Sequence, residues 1–310
     1  MSEIISDLDY WTGIKSQNYW YNVIQRIGSG GSSYTYQCIR SIQQADRDEF
    51  AEGAGNTYVI KLFTAKSKDE RERRFNEERD FLKKTEHPSI LNVHDSGEYD
   101  PEFTDEAYPF YVSDYMPVDM QDLIERDKST PIPKKVSYAV QLLSALVYLE
   151  NNDPPIIHRD IKPGNIFFSA DSCVLADFGA MREGKASAGV DKDSEDEVMP
   201  TYSSIDMFLY EKEGRPITDK SNVFQLGIVL AELFTGRVPT SIPGETYEVD
   251  QIDDLKLPNS YPDDVGDRIS DEINKMLTKD PSERPTAGDI IEEWRWILKD
   301  CTKNQEYKIK

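Results

Sequence analysis

The chain has 310 residues, 38% of them hydrophobic, which suits a packed globule of two lobes or domains rather than a disordered polymer. Its 58 acidic and 36 basic residues give a formal charge of −22, which disfavours nucleic acid and anionic membrane as partners, since both are bound through Lys and Arg. Three cysteines and three histidines are too few for a disulfide framework or a His-rich metal site, and imply a reducing, cytoplasmic setting. Met1–Tyr10 lacks the basic-then-apolar pattern of a signal peptide, and Leu226–Phe234 contains Glu232 and is too short to span a bilayer.

Residues 1–20 hold Tyr10, Trp11, Tyr19 and Trp20, followed by Tyr21, read as an aromatic clasp on the first lobe in preference to a ligand site. Tyr21–Arg40 suggests two strands around a Gly/Ser turn, with Tyr34, Tyr36 and Cys38 alternating along the second. Ser41–Thr57 reads as a long hairpin loop and Tyr58–Phe63 as a short apolar strand. Lys66–Glu86 is a charged helix with Phe75, Phe81 and Leu82 at helical spacing, stopped by His87-Pro88. Two more strands are expected at Ile90–His94 and Phe110–Tyr115.

Beyond Met116-Pro117 the period becomes helical. Helices are expected over Val136–Glu150, Asn222–Phe234, Asp267–Leu277 and Ala287–Leu298, the second apolar nearly all round and therefore buried. The expected organisation is an extension (1–20), an α+β lobe of five antiparallel strands plus one helix (21–115), a larger, mainly helical lobe (116–300) and a tail (301–310).

Gly28-Ser29-Gly30-Gly31-Ser32-Ser33 is a weak motif by itself, a plain glycine hairpin being the simple alternative. A dinucleotide fingerprint needs a helix directly after the glycines, whereas Tyr34-Thr35-Tyr36 continues as a strand. Glycines let backbone N–H groups approach phosphates closely. Lys61 lies on the next apolar strand and could be merely an exposed charge. Glu78 on the following helix offers it a counter-ion and is preferred over Glu77, because it shares a face with Leu82.

The most specific block is Ile156–Gly179, where Asp160, Lys162, Asn165 and Asp177 fall close together. Magnesium takes hard oxygen ligands, usually one or two carboxylates plus phosphate oxygens, and phosphoryl transfer asks the protein mainly for positioning and charge neutralisation.

Gly28-x-Gly30, Val59-x-Lys61, His158-Arg159-Asp160-x-Lys162-x-x-Asn165 and Asp177-Phe178-Gly179 occur in the order seen in eukaryotic-like protein kinases. Over residues 20–300 the chain resembles a protein Ser/Thr kinase catalytic domain, which implies a bilobal fold, ATP with Mg²⁺ (Mn²⁺ as a substitute), and protein Ser/Thr hydroxyls as acceptors. The resemblance implies that Asp160 is the base and Lys162 steadies the transferring phosphate. It casts Lys61, paired with Glu78, as the α/β-phosphate cation, and Asn165 and Asp177 as the metal ligands. Ile27, Gly28, Ser29, Gly30 and Thr35 would line the phosphate hairpin, and Val59 and Phe167 would sandwich adenine. Ser113 takes the gatekeeper position, Asp114 and Met116 offer backbone groups to adenine, and Asp119 matches an acid near the ribose or a basic substrate residue. His158 and Phe178, with Leu82 and Val93, match a hydrophobic column.

Several positions depart from that pattern. Ser33 replaces the third glycine, and Ser204-Ile205-Asp206 stands for Ala-Pro-Glu, with Asp206 expected to pair with Arg284. Asn222 replaces a buried aspartate, and Met199 a threonine that contacts the base. Ser187, Ser194 and Thr201 are candidates for activation-segment phosphorylation, with an acidic loop of no regulatory meaning as the alternative. Two rival functions remain: a nucleotide-binding pseudokinase scaffold and a small-molecule kinase.

Overall fold

The computed structural model describes residues 7–44, 47–50, 54–65, 70–101, 106–126, 129–170, 172–183, 201–243, 246–258 and 261–303. The chain divides into two compact units, Met1–Pro117 and Val118–Lys310.

The first unit is one antiparallel sheet and a helix. Its elements are β1 (Gly13–Lys15), β2 (Tyr19–Ser29), β3 (Ser33–Gln44), β4 (Arg47–Phe50), β5 (Thr57–Phe63), α1 (Glu70–Lys84), β6 (Val93–Tyr99) and β7 (Tyr108–Asp114). The strand order is β1-β2-β3-β5-β7-β6, with β4 paired to β3. Residue alternation sends Tyr21, Val23, Tyr36, Cys38, Ile60, Leu62, Phe110 and Val112 into one buried cluster. Lys61, one residue out of phase with Ile60 and Leu62, belongs to the opposite face. There Phe75 of α1 packs against Phe63 and Tyr111, with ring centroids 5.6 and 5.5 Å away.

The five expected strands form the body of the sheet, and two short ones are added. β4 lies within the stretch expected to be loop. β1 comes from the extension, which is tied down by Trp11 N donating to Val23 O at 2.7 Å and by a Ser16 hydroxyl–Asp95 carboxylate hydrogen bond. The aromatic clasp is only partly realised: Tyr21 is buried, but Tyr10, Trp11 and Trp20 are exposed. Backbone pairing, the buried Ile14 side chain and Tyr19 packed against the core attach the segment. The strand expected at Ile90–His94 starts at Val93 instead. Ile90 and Leu91 are buried just after the turn at Pro88 and stay outside the strand.

The second unit contains α2 (Met120–Arg126), α3 (Ile132–Glu150), β8 (Ile156–Ile157), β9 (Ile166–Ser169), β10 (Ser172–Leu175), β11 (Arg182–Glu183), α4 (Ile205–Glu213), α5 (Lys220–Thr235), β12 (Thr240–Ser241), β13 (Glu248–Val249), α6 (Val265–Met276) and α7 (Ala287–Lys303). α5 is buried at every position from Ser221 to Ala231, as its all-round apolarity requires. α4, not expected from the sequence, is capped by Ser204, whose side chain accepts Met207 N, and stopped by Gly214 at φ 69°. α7 runs past the expected end at Leu298 because Cys301 keeps its buried stripe going, so the tail 301–310 begins as helix. Among the described residues no helix is long and apolar enough to cross a membrane.

Candidate active site

In the first unit the glycine-rich turn joins β2 directly to β3, with Gly28 opposite Thr35 and Gly30 N donating to Ser33 O at 2.8 Å. A strand therefore follows the glycines, and the dinucleotide fingerprint is excluded. Ile27 is exposed at the end of this hairpin, while Thr35 and Val59 are half-buried on the adjoining strands. Ser29 closes β2 opposite Tyr34.

Lys61 Nζ lies 2.9 and 3.0 Å from the two carboxylate oxygens of Glu78. Glu78 is 1% exposed and also accepts the Tyr111 hydroxyl at 3.1 Å. Glu77, the competing choice, is exposed and paired with Arg73. The register of β5 against β7 places Lys61 opposite Tyr111, so strand pairing assembles all three groups. Sequence reasoning missed Tyr111; its only signal was the alternation along two strands whose register was unknown. At the end of β7, Ser113 is buried opposite Val59, Met116 is half-buried, and Asp114 bonds His94 at 2.7 Å. That bond holds the Asp114 carboxyl below its ordinary range. Leu82 and Val93 are buried within this unit.

In the second unit β8 leads into the loop 158–165. His158 is fully buried and packs against Phe178 with the rings tilted by 57° and their centroids 4.3 Å apart. Burial pulls its pKa down to about 4, so the ring is neutral near pH 7. Nε2 faces Ala176 O at 3.2 Å and donates; Nδ1 then accepts Asp160 N at 3.3 Å. The Asp160 carboxylate accepts Lys162 Nζ at 2.8 Å and Asn165 Nδ2 at 2.9 Å, and the same Nδ2 reaches Asp160 O at 2.9 Å. Arg159 and Asp177 both sit at positive φ, 72° and 60°, an uncommon state for residues with a side chain.

The β9–β10 hairpin explains why Asn165 and Asp177 share a site. Leu175 pairs with Ile166, so the residues just outside the hairpin are brought level, and Ala176 N donates to Asn165 O at 2.9 Å. Asn165 spends its amide N–H groups on Asp160, which leaves its carbonyl oxygen as an acceptor. That oxygen and the Asp177 carboxylate are hard donors of the kind Mg²⁺ takes. Among the described residues no three His, Cys, Asp or Glu side chains converge as an all-protein cage. Such a donor pair fits a cation that draws its remaining ligands from phosphate and water.

Asp119 bridges to the half-buried Phe167, and its Oδ1 accepts Asp122 N at 2.8 Å, capping α2. One of its oxygens therefore has a structural use. Asn222 accepts His158 N and donates to Ile156 O, both at 2.9 Å. Arg284 Nη1 meets Asp206 Oδ2 at 2.7 Å, with both side chains at most 1% exposed. Thr201 is exposed and its carbonyl accepts Thr240 Oγ1 at 3.2 Å. Ser187, Ser194 and Met199 lie outside the described residues.

The family model described as protein kinase domain matches residues 21–297. Serine/threonine-protein kinase TIO of Arabidopsis thaliana is 27% identical over 268 residues, covering 86% of this chain and 18% of that protein. Serine/threonine-protein kinase 36 of Pongo abelii is 27% identical over 273 residues, 87% of this chain and 19% of its own length. A probable serine/threonine-protein kinase of Clostridium perfringens is 27% identical over 290 residues, 90% of this chain and 38% of its own. The chain thus spans less than two fifths of the length of each of these relatives.

Proposed function

Because the chain belongs to the protein kinase family, with the bilobal fold of that family, we propose that it transfers the γ-phosphoryl group of ATP to Ser or Thr hydroxyls of proteins. The observation that carries this reading is the Asp160 carboxylate, anchored by Lys162 and Asn165 on a loop whose backbone is fixed from beneath by Asn222. An acceptor hydroxyl placed at Asp160 gives its proton to that carboxylate as its oxygen bonds to the γ-phosphorus, and the bond from that phosphorus to the bridging oxygen breaks to leave ADP. Lys162, 40% exposed, is placed to move from Asp160 to the transferring group. Lys61, held by Glu78, offers its ammonium to the nucleotide phosphates rather than to solvent. Asn165 and Asp177 would hold Mg²⁺, or Mn²⁺ in its place, whose charge when bound neutralises the phosphate oxygens.

Lys61, Glu78, Asp160, Asn165 and Asp177 are all present, so no observation favours the pseudokinase scaffold. The presence of Lys162 supports Ser/Thr acceptors over tyrosine and over small molecules. Autophosphorylation within 177–206 is part of the proposal. The three free, buried cysteines suit a reducing, cytoplasmic compartment.

The test is transfer from γ-labelled ATP to generic protein substrates, wild type against Asp160→Ala. We expect label on Ser and Thr with the wild type alone. Equal labelling by both proteins, or none by folded wild type, overturns the proposal.

A further inference from the structure

α5 presents a second buried amide one turn beyond Asn222. Gln225 is 2% exposed, and its Nε2 donates to two backbone carbonyls at once: Arg159 O at 3.2 Å and Tyr202 O at 3.0 Å. Both partners are acceptors, so the orientation of the amide is fixed by its neighbours and not by convention. Its Oε1 has no hydrogen-bond partner among the described residues, so the nitrogen end alone accounts for an amide at this buried position.

The two carbonyls belong to segments far apart in sequence. Arg159 immediately precedes Asp160 and holds φ 72°. A residue with a side chain stays in that conformation only where its surroundings over-determine it. Here the constraints are the Asn222 bond to His158 N, the His158 Nδ1 bond from Asp160 N, and the Gln225 bond to Arg159 O. Tyr202 lies at the start of the segment that leads into α4, and its hydroxyl donates to Glu232 on α5 at 2.6 Å. One NH₂ group therefore ties the loop bearing the base to that segment.

We propose that Gln225 is a positioning residue for phosphoryl transfer. By joining Arg159 O to Tyr202 O it sets the direction of Asp160 and couples it to the 201–204 segment. The inference rests on the kinase reading above for its catalytic consequence, but the coupling itself is a property of the fold. Gln225 touches no substrate; it acts through the backbone of Arg159.

The test compares wild type with Gln225→Met, which keeps the length and volume of the side chain and removes both donors. Both carbonyls then lose this shared donor, and kcat for a protein acceptor falls about tenfold or more. KM for ATP stays within about twofold, because Lys61 and Glu78 are untouched. Gln225→Asn, an amide on a shorter arm that reaches one carbonyl at most, retains an intermediate kcat, and serves alone if the Met variant does not fold. Hydrogen exchange is read on the same proteins. Amides in 156–165 and in 201–204 lose protection together in the variants, while the body of α5 keeps it. Wild-type kcat in both variants, or exchange that rises in one segment only or in neither, overturns the proposal. If folded wild type transfers no phosphate, the kinase reading fails and the exchange result alone decides the coupling.

Discussion

Asn222 uses both ends of its amide on the loop before Asp160: Oδ1 accepts His158 N and Nδ2 donates to Ile156 O, each at 2.9 Å. An aspartate at this position accepts the first bond equally well, but it cannot make the second, and it turns a charged oxygen toward a buried carbonyl. The residue is 1% exposed, so water does not compensate. Asn222→Asp should therefore lose about 1–3 kcal/mol of stability and gain no activity, although it restores the family's usual residue. Calorimetric melting and transfer rates check this. A more active, equally stable Asp variant contradicts the two-ended bond.

Lys61 and Glu78 can be separated experimentally. Lys61→Met leaves the buried Glu78 carboxylate with the Tyr111 hydroxyl but without its cation, so the protein should be destabilised by about 3 kcal/mol or more. It should also lose nearly all transfer, and Mg·ATP should no longer raise its melting temperature. Glu78→Gln keeps an acceptor for Lys61 and for Tyr111, and kcat should fall only about 10–100-fold, the loss of one charge-assisted bond. Retained ATP-dependent stabilisation in Lys61→Met counts against its role with phosphate.

His158 predicts a pH dependence of stability. Burial holds its folded pKa near 4, against 6.5 for the free side chain. The unfolded chain therefore takes up a proton first, so this contribution is complete above about pH 6.5 and is lost as the pH falls from there toward 4. At pH 5 the loss is about 2 kcal/mol. Glu150, Asp206 and Glu272, raised by burial, act with the opposite sign. They are common to wild type and His158→Phe, so the difference between the two melting curves across pH 4–7 isolates His158. Parallel curves are the contrary result.

The Arg284–Asp206 pair lies where solvent cannot help either partner. Burial pushes the Asp206 carboxyl up and pulls Arg284 down, so desolvation outweighs their attraction. Such a pair adds little net stability yet is expensive to break. Asp206→Ala should cost about 3–5 kcal/mol, a melting shift on the order of 10 °C for a chain of this size. Asp206→Asn, which keeps an acceptor for Arg284, should cost less. The order of the two melting temperatures is the measurement.

Ser113 is buried on β7 opposite Val59. Its small side chain leads us to expect that ATP analogues with bulky N6 substituents serve as donors, and that Ser113→Phe abolishes their use while sparing ATP. Equal analogue use by both proteins shows that another side chain fills the space.

What could be read from the sequence was what the backbone places locally. The stretch 158–165 puts Asp160, Lys162 and Asn165 on one loop, Phe167 follows in the β9–β10 hairpin and Asp177 just beyond it, so their proximity is a matter of short spacing. Lys61 was legible as a residue of a short apolar strand, but the strand's neighbours decided that it faces Glu78. Tertiary structure alone decided which distant polar groups meet. Asn222 and His158 are 64 residues apart, and Gln225 and Arg159 are 66. Their pairing follows from α5 being buried on every side, where an amide N–H group is costly to leave without an acceptor. The same requirement for backbone partners turned residues 13–15 and 47–50 into strands, and composition carries no trace of that. Local spacing is written in covalent geometry; long-range pairing is chosen by the cost of burying an unmet hydrogen bond, which exists only once the chain has folded.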